Sequence, residues 1–131
     1  MIVDTSALIA ILQAELEADL LLDAILQADQ VQMSAATFVE AGVVIDAQRD
    51  PVLSRMFDTL LKELGVEISP VSVDQAILAR QAYRDFGKGS GHPARLNFGD
   101  CFSYAAAVAA DDVLLFKGDD FRHTDVRPAV R

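Results

Sequence analysis

Short apolar runs along this chain alternate with longer stretches in which apolar side chains return at helical spacing, the patterns of buried strands and amphipathic helices. Ile2-Val3 predicts a first strand, ended by Asp4, with Thr5 and Ser6 placed to cap a helix carrying Leu8, Ile9, Ile11 and Leu12. Leu16, Leu20, Leu21, Ala24, Ile25 and Ala28 predict a second helix, Val31 to Ser34 a strand, and Ala36 to Gln48 a third helix. That helix stops near Asp50-Pro51, because the residue before a proline disfavours helical geometry. Pro51 can open the next helix, with Leu53, Phe57, Leu60, Leu61 and Leu64 facing inward and Gly65 as its stop. Val66 to Ser69 reads as a strand and Val73 to Phe86 as a helix, followed by one long irregular stretch, Gly87 to Phe98. Gly99 to Ala110 is apolar nearly all round, which predicts a buried helix. Val113 to Phe116 is a further strand, and Phe121 to Arg131 can add a short edge strand. Strands separated by helices pair in parallel through crossovers, so the fold class is α/β: an α/β/α sandwich around a central, mainly parallel sheet. The local pattern leaves the strand order open.

A chain of 131 residues, 52% hydrophobic, fits one compact domain spanning 1–131 and excludes a disordered chain. No apolar run approaches a membrane span, and no basic leader or cleavage site precedes Ile2-Val3. The expectation is a cytoplasmic protein without a membrane partner. The single cysteine, Cys101, excludes an internal disulfide and leaves too little sulfur for a structural zinc site.

The acidic residues change the picture. Ligands of open parallel sheets bind outside the carboxyl ends of the strands. Asp4 ends the first strand, Glu40 comes early in the helix after the second, Asp119-Asp120 follow the last long strand, and Asp100 opens the apolar helix. Glu40 has Ala36, Thr37, Val43 and Val44 as helical neighbours, and Asp100 has Cys101, Phe102, Ala105 and Val108 around it. A carboxylate in such surroundings needs a partner or a metal. Any one of these acids alone is as well explained by helix capping or a cross-core pair; together, at one sheet end, they repel unless a cation lies between them. Oxygen-only ligation selects Mg²⁺ or Mn²⁺, as one ion or two. Thr5 and Ser6 are candidate supporting hydroxyls, with helix capping the simpler role for at least one.

Net charge is −9, which argues against non-specific coating of nucleic acid. The charge is unevenly placed, however. Residues 1–79 hold 3 Lys/Arg against 13 Asp/Glu, and residues 80–131 hold 8 against 7. Local contact with a few phosphates suits that distribution, with Lys88 and Arg95 in the Gly-rich stretch before Asp100 as the candidate phosphate-binding residues. Two other classes fit parts of the pattern. A phosphoacceptor receiver-like signalling module would use clustered aspartates and Lys117, but the third strand ends at Ser69-Pro70 without an aspartate. A haloacid-dehalogenase-like phosphatase would need an aspartate where Ser6 stands.

Taken in order, Met-Ile-Val-Asp-Thr-Ser-Ala-Leu at 1–8, Glu40 in its apolar helix, Gly91-His92-Pro93-Ala94-Arg95-Leu96, Asn97-Phe98-Gly99-Asp100-Cys101-Phe102-Ser103-Tyr104-Ala105, and Leu114-Leu115-Phe116-Lys117-Gly118-Asp119-Asp120-Phe121 resemble the PIN-domain ribonucleases. Within them the likeness is to the VapC-type toxins of bacterial toxin–antitoxin pairs, and it covers the whole chain. The resemblance implies a metal-dependent endoribonuclease acting on transfer RNA or other structured RNA. It also implies a homodimer and inhibition by a cognate VapB-like antitoxin. Asp4, Glu40 and Asp100 match the family's first three acidic positions. The fourth falls on Asp120 or Asp119, with Asp120 preferred because it directly precedes Phe121. A catalytically inert antitoxin-binding protein is the remaining alternative. His92 and His123 are expected to be peripheral, Cys101 to be a small buried hydrophobe, and Phe98, Phe102 and Tyr104 to pack in the core.

Overall fold

The computed structural model describes all 131 residues. The elements in chain order are β1 (Ile2–Val3), α1 (Thr5–Leu12), α2 (Ala18–Gln27), β2 (Gln32–Ser34), α3 (Ala35–Asp46), α4 (Pro51–Glu63), β3 (Glu67–Ser69), α5 (Val73–Phe86), α6 (Phe98–Ala110) and β4 (Leu114–Leu115), followed by a short 3-10 turn over Asp120–His123. Five of the helices begin where a polar residue can accept an amide: Asp4 caps α1, Ser34 α3, Asp50 α4, Ser72 α5 and Asn97 α6. Thr5 and Ser6 therefore do not cap α1. They occupy its first turn, and their hydroxyls are free for other bonds.

All the strand pairs are parallel, in the order β3-β2-β1-β4. Ile2 lies opposite both Gln32 and Leu114, and Val3 opposite Leu115. Because successive strand residues point to opposite faces, Ile2 and Leu114 pack with α5 and α6 against Ala79, Ala82, Tyr104 and Ala105. Val3 and Leu115 pack instead with α1 to α4, against Leu8, Leu21, Ile25, Ile45 and Phe57. The result is an α/β/α sandwich, and no helix is long and apolar enough to cross a membrane.

The tail forms less than the expected edge strand. It makes a single parallel bridge, Leu114 to Pro128, in which Leu114 N–H donates to the Arg127 carbonyl and Ala129 N–H to the Leu114 carbonyl. Pro128 has no N–H to donate, so it gives a further strand nothing to pair with at that position.

The order of the strands decides where a ligand can sit. The chain steps outward from β1 to β2 to β3, then crosses back to add β4 on the other side of β1. The switch point lies between β1 and β4, and the crevice beyond their carboxyl ends is the place for a site. Asp4 and Lys117 are the residues that stand there.

Candidate active site

The side chains beyond β1 and β4 are tied together by hydroxyl groups. Asp4, almost fully buried, accepts the Ser6 N–H at 3.0 Å and the Ser6 hydroxyl at 2.7 Å on one oxygen, and the Ser103 hydroxyl on the other. Ser103 Oγ lies 3.0 Å from Thr37 Oγ1. With the Ser103 proton committed to Asp4, Thr37 is the donor of that pair. Ser6 Oγ in turn accepts the backbone N–H of Lys117 at 3.0 Å, which locks the end of β4 to the start of α1. Glu40 accepts the Thr5 hydroxyl at 2.7 Å. Asp100 closes a capping box on α6: its own N–H donates to Asn97 Oδ1, and its carboxylate accepts the Asn97 N–H.

Asp4, Thr5, Ser34, Thr37 and Ser103 are the buried polar residues of the chain. All but Ser34, which caps α3, belong to this network, so the interior's polarity is gathered at one place. No buried side-chain nitrogen or oxygen lacks a partner. What the network lacks is positive charge. None of Asp4, Glu40, Asp100 or Asp120 takes part in an ion pair.

The electrostatics follow from that. Burial pushes the Asp100 carboxyl up to about 7; the Asn97 amide pulls it back, and the charges of Asp4, Glu40 and Asp120 push it further. Burial also raises Glu40, with the Thr5 hydroxyl opposing and Asp4 adding to the rise. Four acidic side chains thus feel one another as a cluster. Asp120, at the start of the 3-10 turn, is within range of Asp100, whereas Asp119 is exposed and turns toward Arg122 at 3.9 Å. The charge of Asp120 felt at Asp100 and the contact of Asp119 with Arg122 favour Asp120 as the candidate fourth carboxylate.

Other residues fall elsewhere. His92 accepts the Ala94 N–H on Nδ1 and packs edge-on against Phe86, and His123 is exposed at the end of the 3-10 turn. Cys101 is buried; burial first, then Asp100, pushes its thiol up to about 11, which makes it a poor nucleophile. Tyr104 is buried and donates to Asp125 at 2.7 Å. Phe98, expected in the core, is 78% exposed and meets Phe102 edge-on at 5.0 Å, because it occupies the first turn of α6 where the helix leaves the sheet. Lys88 and Arg95 are exposed on the α5–α6 loop. That loop is closed by Lys88 N–H donating to the Leu96 carbonyl and Leu96 N–H to the Phe86 carbonyl.

Three participants carry too little sequence signal to be found in advance. Thr37 and Ser103 are hydroxyls on apolar helices, readable only as lying one turn from Glu40 and from Asp100. Gly99 is the third. A Cβ placed there would lie 1.3 Å from Glu40 Oε2, so glycine is what lets Glu40 keep its observed position beneath the start of α6.

The sequence matches the PIN domain family over residues 1–127. It is 55% identical over 130 residues to the VapC ribonuclease Mb0625 of Mycobacterium bovis, covering 99% of this chain and 98% of that protein. It is 50% identical over 129 residues to ribonuclease VapC42 of Mycobacterium tuberculosis, covering 98% of each. The chain belongs to the PIN-domain family. Its relatives place it among the VapC ribonucleases of that family. In structure it is similar to Mycobacterium tuberculosis VapC20, described as a sarcin–ricin loop cleaving toxin, with a TM-score of 0.70 at 19% identity over 97% of this chain and 98% of the other. It is also similar to a chain of a toxin–antitoxin complex from Klebsiella pneumoniae, with a TM-score of 0.66 at 20% identity over 92% and 88%. At such identities these neighbours speak for the PIN fold alone. The fold also removes the receiver-like alternative: β3 is the edge strand, and the Lys117 ammonium reaches Glu15 at 2.9 Å and Glu17 at 3.7 Å, not an aspartate.

Proposed function

We propose that the chain cuts RNA with Mg²⁺ or Mn²⁺ held among Asp4, Glu40, Asp100 and Asp120. The observation that carries this reading is a partly buried cluster of acids whose contacts are hydroxyls and amides and none of which is paired with a cation. The donors are all oxygen, which fits hard divalent ions and not zinc. No three His, Cys, Asp or Glu side chains close on a single point as a protein-only cage. Mg²⁺ keeps several waters and binds through one or two carboxylates together with substrate phosphate, so some of the four acids would hold it through water. Such an ion supplies Lewis acidity to the scissile phosphodiester and to the attacking water.

The residues of the chain hold the ligands in place. Ser6 and Ser103 fix both oxygens of Asp4, Thr37 orients the Ser103 hydroxyl, and Thr5 fixes Glu40. Asn97 sets the angle of Asp100 through the capping box. Lys88 and Arg95, beside Asp100 in sequence, are placed to hold the phosphates flanking the cut. The substrate we infer is transfer RNA or another structured RNA, in the cytoplasm where such RNA is found.

The same reading gives the chain two protein partners. One is a VapB-like antitoxin whose basic segment enters the acid cluster; the other is a second copy of the chain. Two apolar grooves of about 270 and 300 Å³ meet at Phe98 and Phe102. The exposed Val39, Val43 and Tyr83 line the same face, the kind of continuous patch that marks an interface. Sedimentation at micromolar concentration should give twice the 14.2 kDa chain mass, and a strict monomer would count against the dimer.

Incubation of structured RNA with the protein, with Mg²⁺ or Mn²⁺ or with EDTA, tests the central reading. Cleavage should require the ion. Asp4→Asn should abolish it while the protein stays folded, since asparagine also caps helices well. Undiminished cleavage by the folded variant would falsify the metal assignment.

A further inference from the structure

Lys117 is the cation most closely tied to the acid cluster. Its backbone N–H donates to Ser6 Oγ at 3.0 Å, and Ser6 Oγ donates to Asp4 at 2.7 Å, so the Asp4 carboxylate lies within reach of a flexible four-carbon stem. Coulomb attraction alone would draw the ammonium onto the cluster. Yet Nζ pairs with Glu15 at 2.9 Å and Glu17 at 3.7 Å and with no acid of the cluster. These glutamates stand on the turn joining α1 to α2, where Ala14 takes a left-handed conformation (φ 51°) that an alanine rarely adopts. Lys117, Glu15 and Glu17 are each about a third or more exposed, and ion pairs of that kind contribute little to stability. Their geometry therefore calls for another explanation than holding the fold.

We infer that Glu15 and Glu17 are positioning residues that hold the Lys117 ammonium away from Asp4 and its neighbours, keeping the carboxylates open to a divalent ion. Two glutamates outside the cluster act as a decoy for the one lysine placed to neutralise it. Without them, Lys117 folds onto Asp4 and competes with the ion for the same oxygens. The inference rests on the metal reading above.

The test is calorimetric titration of Mn²⁺ into the RNA-free protein. Glu15→Gln with Glu17→Gln is compared with the unaltered pair, in the natural Lys117 background and in a Lys117→Met background. Salt at about 0.3 M screens long-range charge effects. In the Lys117 background the double substitution should weaken Mn²⁺ binding about fivefold, the upper end of what one exposed ion pair contributes. In the Lys117→Met background it should change the affinity less than about twofold, because nothing remains to fall into the site. Glu15→Gln alone should shift affinity in the same direction by less, and thermal melts should show all variants folded. An equal loss in both backgrounds would reveal a simple field effect, and no loss in either an ordinary surface pair; both overturn the inference. Failure of the unaltered chain to bind Mn²⁺ would overturn the metal reading first, and this one with it.

Discussion

Asp100 performs two tasks that pull in different directions. As the N3 partner of Asn97 it accepts an amide at the start of α6, a bond that is stronger when the carboxylate is charged. Beside Asp4, Glu40 and Asp120, and partly buried, it resists that charge, and its carboxyl is pushed up to about 7. The consequence for stability has a definite sign. Below about pH 4 the group is protonated folded or unfolded and contributes nothing. Between about 4 and 7 the folded state keeps a proton that the unfolded state has lost, so this group makes stability fall as pH rises through that window, and the penalty is constant above it. Ion binding has the opposite slope, because the ion must displace that proton. Mn²⁺ affinity should therefore rise with pH up to about 7 and then level off. Calorimetry in buffers of different ionisation heat should show protons released below the plateau. Asp100→Asn should abolish that release at its step. An affinity that does not change between about pH 5.5 and 8, a range that brackets the raised carboxyl and excludes an ordinary one, would show that the ion displaces no proton from a raised Asp100.

At the scale of elements, what could be read in the sequence was what local rules govern. Proline, glycine and capping residues marked the helix ends, and apolar spacing separated strand from helix. Acids at strand ends and helix starts stood out because their own neighbours were apolar. The approach of α3 to α6 was not readable, since it depends on residues far apart in the chain. That approach brings Thr37 to Ser103 and Glu40 to Gly99, and it explains why both hydroxyls and the glycine carried no visible signal. The exposure of Phe98 was hidden for the same reason, and strand order left no local trace. The crossing of the two helices can be tested at its closest point. Gly99→Ala places a methyl where Glu40 Oε2 lies, and the flexible end of the glutamate must swing aside. Gly99 lies in the first turn of α6, where alanine's advantage over glycine is smaller than the interior value of about 0.5–1 kcal/mol, and only a flexible side-chain end must move, so urea denaturation should show little loss of stability. RNA cleavage should fall by an order of magnitude or more, as expected when a catalytic group is displaced by about 1 Å. Full activity in the folded variant would show that Glu40 need not occupy its observed position.

The molecule as a whole carries a charge of −9 and must still hold a polyanion. Its cations explain how this can work, because Lys88 and Arg95 sit on the loop that leads into the Asn97 cap and Asp100, whereas the body formed by residues 1–79 is strongly acidic. RNA should then be held by a few local contacts, with the acidic body repelling the rest of the strand. Arg95 and Arg49 make a matched pair for testing this. Both are exposed, and both have left-handed backbones, at φ 52° and 55°. Alanine keeps the Cβ and hence the backbone cost at either position, so each change removes a charge with similar conformational consequences. Binding of a catalytically inactive Asp100→Asn protein to structured RNA can be followed across a salt series. Arg95→Ala or Lys88→Ala should each reduce the slope of log K against log salt by roughly 0.7 to 0.9 for every phosphate that the side chain had neutralised. In the active enzyme the same changes should raise KM more than they lower kcat. Arg49→Ala, on the link between α3 and α4, should do neither. If it flattens the slope as much as Arg95→Ala does, RNA responds to total charge alone and the loop before α6 is not its binding face.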